Sequence, residues 1–240
     1  TNEVKETYPA ISKLVLSILK NYPFWIVFSS ILILGSTTIM FNKNLIYYIK
    51  YALDLHNFQG LVLGLSGLSS FASIPFWSYV SLKIGKRNTW QISMSLLLLA
   101  FALFYYYQIN SIQELIIIVC LIGIASGAGG VLFWSMLPDT IEYGEWKSGI
   151  RSESSLYGFM TFAQKSSIAV AALILGVLLT SINFTPNEVQ NPETLAGLKN
   201  IMSLIPASGI AISIFLMYFY PINSEYHKEL LINIEARKNG

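Results

Sequence analysis

The chain has 240 residues, of which 54% are hydrophobic and only 12% charged, with a mean hydropathy of +0.56. Soluble domains carry about 25% charged residues, so this composition excludes a soluble globular protein and indicates an integral membrane protein. A net charge of +2, with the basic residues dispersed among apolar blocks, excludes a nucleic-acid surface, and a lone cysteine, Cys120, excludes an intrachain disulfide framework.

Residues 1–22 open without Met, are polar at first, and lack the apolar core and cleavage site of a signal peptide. They are expected to be a cytoplasmic lead-in, the end of a central loop in a longer protein. Residues 23–222 then hold six uncharged runs long enough to cross a bilayer, which takes about 20 residues. The predicted spans are 24–48, 58–82, 88–107, 115–137, 154–181 and 200–220. Asn42, Lys43 and Asn44 interrupt the outer part of the first, where Lys43 can snorkel as an anchor or line a cavity. Tyr47, Tyr48 and Tyr51, with Tyr105, Tyr106 and Tyr107, fall where an aromatic belt is expected.

Glycines cluster in the second span (Gly60, Gly64, Gly67) and the fourth (Gly123, Gly127, Gly129, Gly130). They suit close helix packing or smooth faces that slide during transport, and the sequence leaves both open. Asn183 to Lys199, with Pro186 and Pro192, reads as an irregular loop, and residues 223–240 as a cytoplasmic tail, helical or solvated.

Six spans put both termini on one side of the membrane. That side holds eleven basic residues (Lys5, Lys13, Lys20, Lys83, Lys86, Arg87, Lys147, Arg151, Lys228, Arg237 and Lys238), and the other side holds Lys50 and Lys199. The bias predicts cytoplasmic termini in a multi-pass protein of the cell membrane. His56 and His227 then lie at opposite faces.

The densest charge lies between the fourth and fifth spans. Asp139, Glu142 and Glu145 recur every three residues, so they share roughly one helical face. Gly144 and Gly149 are expected to break that helix, and Arg151 and Glu153 lead into the next. No nucleophile, histidine pair or metal spacing accompanies these charges, which argues against an enzyme. Facing Lys147 and Arg151, the acids suit either an ion-pair cluster that holds one conformation of a moving bundle or a solvated topology anchor. Trp134 and Tyr157 flank this region, where a sugar-stacking role and plain packing are both open.

The fifth span contains a single charge, Lys165. Eleven uncharged residues separate it from Glu153, which places it about 17 Å along the helix and near the middle of a hydrocarbon core about 30 Å thick. Snorkelling does not cover that depth. The ammonium is therefore expected to face protein or a wet cavity.

The run MLPDTIEYGEWKSGIRSESSLYGFMTFAQK, followed by an apolar helix and the turn FTPN, resembles the glycoside–pentoside–hexuronide:cation symporters, the family of the melibiose permease, within the major facilitator superfamily. The segment D-x-x-E-Y-G-E-x-x-x-G-x-R-x-E carries the likeness, and PFWSYVSLKIGKRNTW is similar to the family's loop between its second and third spans of this half. The resemblance covers roughly residues 20–220. It implies an all-α membrane fold of six helices, the C-terminal half of a twelve-helix carrier, that brings in a glycoside or related sugar by Na+ or H+ symport. It implies a pocket at Lys165 and Thr161, to which Tyr157 and Trp134 are added as candidate stacking residues, and gate charges at Asp139, Glu142, Glu145, Arg151 and Glu153. It implies no bound cofactor; the coupling cation would sit mainly in an N-terminal six-helix half, which would be the partner of this chain. The sequence departs from the melibiose-permease pattern at two places expected to line the pocket, having Gly130 where that pattern has a tryptophan and Met160 where it has a glutamine, so the sugar is left open. A lysolipid-like cargo on the same fold, or a non-transporting membrane subunit, are the other readings.

Overall fold

A computed structural model describes residues 11–239. Lys5, the first ten residues of the expected lead-in and Gly240 lie outside the described residues. The described chain is helical throughout, with α1 (Ile11–Leu19), α2 (Tyr22–Tyr47), α3 (Gln59–Ile84), α4 (Lys86–Tyr106), α5 (Ile112–Ser148), α6 (Glu153–Ser181), α7 (Pro192–Tyr218) and α8 (Ser224–Asn239). A π-helical turn, Tyr48–Ala52, extends α2, and a short 3₁₀ turn, His56–Phe58, leads into α3. Helices α2 to α7 are each long and apolar enough to span a membrane, giving six candidate spans.

The centre is α5, which packs along α3 and α4; α2 packs along α6 and α7, and α7 along α4. Glycine makes the closest of these contacts. A Cβ at Gly127 would fall 2.5 Å from the Ser70 carbonyl oxygen and against Ser73 Oγ, and one at Gly123 would fall 2.6 Å from the Ser66 carbonyl oxygen. By contrast, Gly60, Gly64, Gly67 and Gly130 face open space. The close-packing reading thus applies to Gly123 and Gly127. Gly127→Ala is expected to push α3 from α5 and lower stability by about 1–3 kcal/mol, visible as a lower melting temperature, whereas Gly64→Ala leaves melting unchanged.

Three features differ from the sequence expectation. First, Gly144 does not break α5, which runs unbroken to Ser148; only Gly149, with φ +73°, ends it, its N–H reaching the Glu145 carbonyl at 2.8 Å. Gly144 instead admits Asn21, whose Nδ2 donates to the Thr140 carbonyl at 2.8 Å and would lie 2.8 Å from a Cβ at 144. Second, helix α7 begins at Pro192 rather than near 200. Asn191 Oδ1 accepts from Thr194 N at 2.7 Å, so Asn-Pro forms an N-cap and first helical position inside the expected loop. Third, the tail is not solvated on all sides. Helix α8 packs on α5, buries Leu230 and Ile234, and Arg237 donates to the Trp146 carbonyl.

Buried polar side chains reach backbone carbonyls of neighbouring helices: Asn44 Nδ2 donates to Leu198 O at 2.7 Å and Trp77 Nε1 to Ile124 O at 2.7 Å. At the end away from α1 and α8, Lys50 Nζ donates to Asn187 Oδ1 at 3.0 Å and Asn187 N to Tyr51 OH at 2.8 Å. That ties the π turn to the connection between α6 and α7. Lys43 is exposed.

Candidate functional site

The charges at the end of the bundle that carries α1 and α8 form two groups. The first is built by the start of α4, the end of α5 and the first turn of α8. Lys86 Nζ donates to both oxygens of Asp139 at 2.7 and 2.8 Å and to the Ser135 carbonyl at 2.7 Å. His227 Nε2 lies 2.5 Å from Glu142 Oε2 and 3.5 Å from Asp139 Oδ1. Asp139 is only 5% exposed. Tyr220 is completely buried and its hydroxyl has no hydrogen-bond partner among the described residues. Burial first, then the negative charge of Asp139, push its phenol well above the usual range, so it stays a neutral donor.

The second group is Arg151, which donates to Glu145 Oε2 at 2.8 Å and lies 2.8 Å from Glu153 Oε2. These hydrogen bonds, that to Glu145 foremost, raise the proton affinity of the guanidinium further. The five expected gate charges are therefore divided: Asp139 and Glu142 serve α4 and α8, while Glu145 and Glu153 serve Arg151. Lys147 joins neither group. Its ammonium lies over the Tyr22 and Tyr143 rings, 5.7 and 5.5 Å from their centroids.

Midway along the bundle, a cavity of about 620 Å³ opens between α2, α3, α5 and α6, with Thr38, Ser70, Ser126, Gly130, Trp134 and Gln164 in its wall. A second lobe of about 340 Å³ adjoins it; Thr38, Ser70 and Ser126 belong to both, and Asn42 and Ser66 add polar groups. Hydroxyls and amides on an otherwise apolar wall suit a small polyhydroxylated solute. Trp134 and Tyr157 stack, with ring centroids 6.4 Å apart and planes at 19°.

Lys165 and Thr161 are exposed on α6 and do not line this cavity, whose α6 wall is Gln164, Ser167 and Ile168. Thr161 donates to the Tyr157 carbonyl at 2.9 Å, and no side-chain partner of the Lys165 ammonium occurs among the described residues. Met160, expected to line the pocket, is instead fully buried in the core. The amide of α6 at the cavity is Gln164, one helical turn further on. Sequence reasoning missed Gln164, Tyr220 and the pairing roles of Lys86 and His227; only the basic loop around Lys86 gave a signal.

Six membrane-length helices around a polar groove, with paired charges confined to the ends, define a transport-type helical membrane unit. A family model described as MFS/sugar transport protein matches residues 1–224, so the chain belongs to that family. It is 26% identical over 231 residues to the glucuronide carrier protein homolog of Escherichia coli (strain K12), covering 96% of this chain and 50% of that protein. It is 33% identical over 156 residues to a putative sulfoquinovose importer of the same organism, covering 65% and 33% of the two chains. It is 24% identical over 193 residues to the isoprimeverose transporter of Lactiplantibacillus pentosus, covering 80% and 40%. The chain spans about half the length of the first of these. Family and relatives are transporters, not enzymes.

Proposed function

We propose that this chain is the C-terminal six-helix half of a secondary carrier that moves a glycoside or related sugar together with Na+ or H+. The observation that carries the reading is Lys165: an ammonium midway along a membrane-length helix and exposed on the six-helix unit, next in sequence to Gln164, which lines a cavity walled by hydroxyl, amide and indole groups. Such a charge is costly in lipid and persists where it faces partner protein or a wet cavity. An N-terminal six-helix half laid against α6 supplies that setting and closes the groove around the solute. The bias of basic residues toward the α1 and α8 end supports a reading with both termini in the cytoplasm of a cell-membrane carrier.

In this reading the Lys86–Asp139 and Arg151–Glu145–Glu153 pairs hold the cytoplasmic end in one state and separate in the other. The test is uptake by the complete carrier in vesicles. A glucuronide, sulfoquinovose or isoprimeverose is expected to accumulate when a Na+ or H+ gradient is imposed, and an ionophore that collapses the gradient abolishes the accumulation. Absence of both accumulation and energy-independent exchange across a panel of sugars would overturn the reading.

A further inference from the structure

Asp139, Glu142 and His227 each offer a potential ligand atom, and these atoms all lie within 4.8 Å of one another. Donor atoms around a tetrahedral ion, each about 2.0–2.1 Å from it, are spaced by about 3.3 Å. The contacts of His227 Nε2, 3.5 Å to Asp139 and 2.5 Å to Glu142, reach that spacing with side-chain shifts of about an ångström. Asp139 is buried, and Glu142 and His227 are half-buried, so this is not a solvated acidic patch. A second feature is an unpartnered buried hydroxyl within the electrostatic reach of Asp139. The Tyr220 hydroxyl, fully buried and under the influence of Asp139, has no hydrogen-bond partner among the described residues.

We infer that Asp139, Glu142 and His227 form a divalent transition-metal site, of the zinc class, that joins the tail helix α8 to α5. One imidazole with two carboxylates favours Zn2+, Co2+ or Ni2+ over Mg2+ and Ca2+, which take oxygen ligands. Three protein ligands leave a fourth position for water, and that water gives the Tyr220 hydroxyl its acceptor. Lys86, from α4, is the opposing group, because its ammonium already holds both oxygens of Asp139. A dication therefore binds in competition with it. Binding strengthens the attachment of α8 to α5 and weakens that of α4 to α5, and the inference stands whether or not the cargo is a sugar.

The test uses the purified, tag-free complete carrier, stripped with chelator and titrated with ZnCl2 alone at neutral pH. Calorimetry is expected to show saturable zinc binding, with Co2+ giving the visible absorption of a four-coordinate site and Mg2+ giving none. His227→Ala and Glu142→Gln each weaken the affinity by about tenfold or more, a loss at least as large as for outer-shell changes. Lys86→Gln tightens it by about tenfold, because an ammonium facing the dication is removed. That gain separates ligand loss from misfolding, since a misfolded variant does not bind more tightly. His56→Ala leaves binding unchanged. Zinc affinity unaltered in His227→Ala, or equal weakening in all four variants, would overturn the site.

Discussion

Lys165→Leu in the complete carrier is expected to abolish cation-driven accumulation while membrane insertion and expression stay normal. The ammonium sits in the middle third of α6, a helix of 29 residues, and it is exposed on this six-helix unit. A lysine at the centre of a membrane helix costs about 3 kcal/mol on insertion scales, so leucine there removes a penalty and does not hinder insertion. What the substitution removes is the positive charge next in sequence to Gln164, which lines the cavity. In a two-half carrier that charge must be balanced by carboxylates or water across the groove. In the proposed reading, a coupling cation entering across the groove would compete with it, and that competition would link ion to solute. Energy-independent exchange of sugar is expected to survive in part, because the hydroxyl and amide groups of the wall remain. Normal accumulation in a well-inserted Lys165→Leu carrier would leave the lysine as a structural residue in a wet cavity.

The six spans were legible because membrane crossing is a matter of length and charge exclusion, both of which a sequence carries directly. Helix ends were not, for two reasons. Hydropathy falls at Pro138, yet Glu, Lys and Trp continue the helix to Ser148 because solvent, unlike lipid, imposes no limit on charged helical residues. At Asn191-Pro192 the same residue types that mark a loop also start a helix, and the structure realises the second use.

The candidate site shows a similar division. The spacing of Asp139, Glu142 and Glu145 put three acids on one face, but spacing within a helix says nothing about what that face meets. Lys86 is 53 residues from Asp139, and His227 is 85 residues from Glu142. Only the packing of α4 and α8 on α5 brings them together. The distinction between Met160 and Gln164 is likewise one of rotation: the residues lie one turn apart on α6, and the face that α2 covers decides which of them is core.

Lys86→Met is expected to destabilise the carrier much more than Asp139→Asn, although both break the same ion pair. The asymmetry follows from burial. The Asp139 side chain is 7% exposed and that of Lys86 is 32% exposed. With methionine at 86 the largely buried carboxylate is left, among the described residues, with the longer contact to His227, and stranding one partner of a buried pair costs about 3 kcal/mol. With asparagine at 139 the lysine turns its head to solvent and keeps its bond to the Ser135 carbonyl, so the loss is about 1 kcal/mol. Joint replacement, Lys86→Met with Asp139→Leu, removes both charges and should recover most of the stability lost in Lys86→Met, since desolvation of the pair offsets much of its attraction. Melting temperatures of the three purified variants check the order. Equal losses for the two single variants would mean that water reaches Asp139 and that the pair is an exposed one. A double variant no more stable than Lys86→Met would instead show that the attraction between α4 and α5 at this end comes from the pair itself and not from the packing around it.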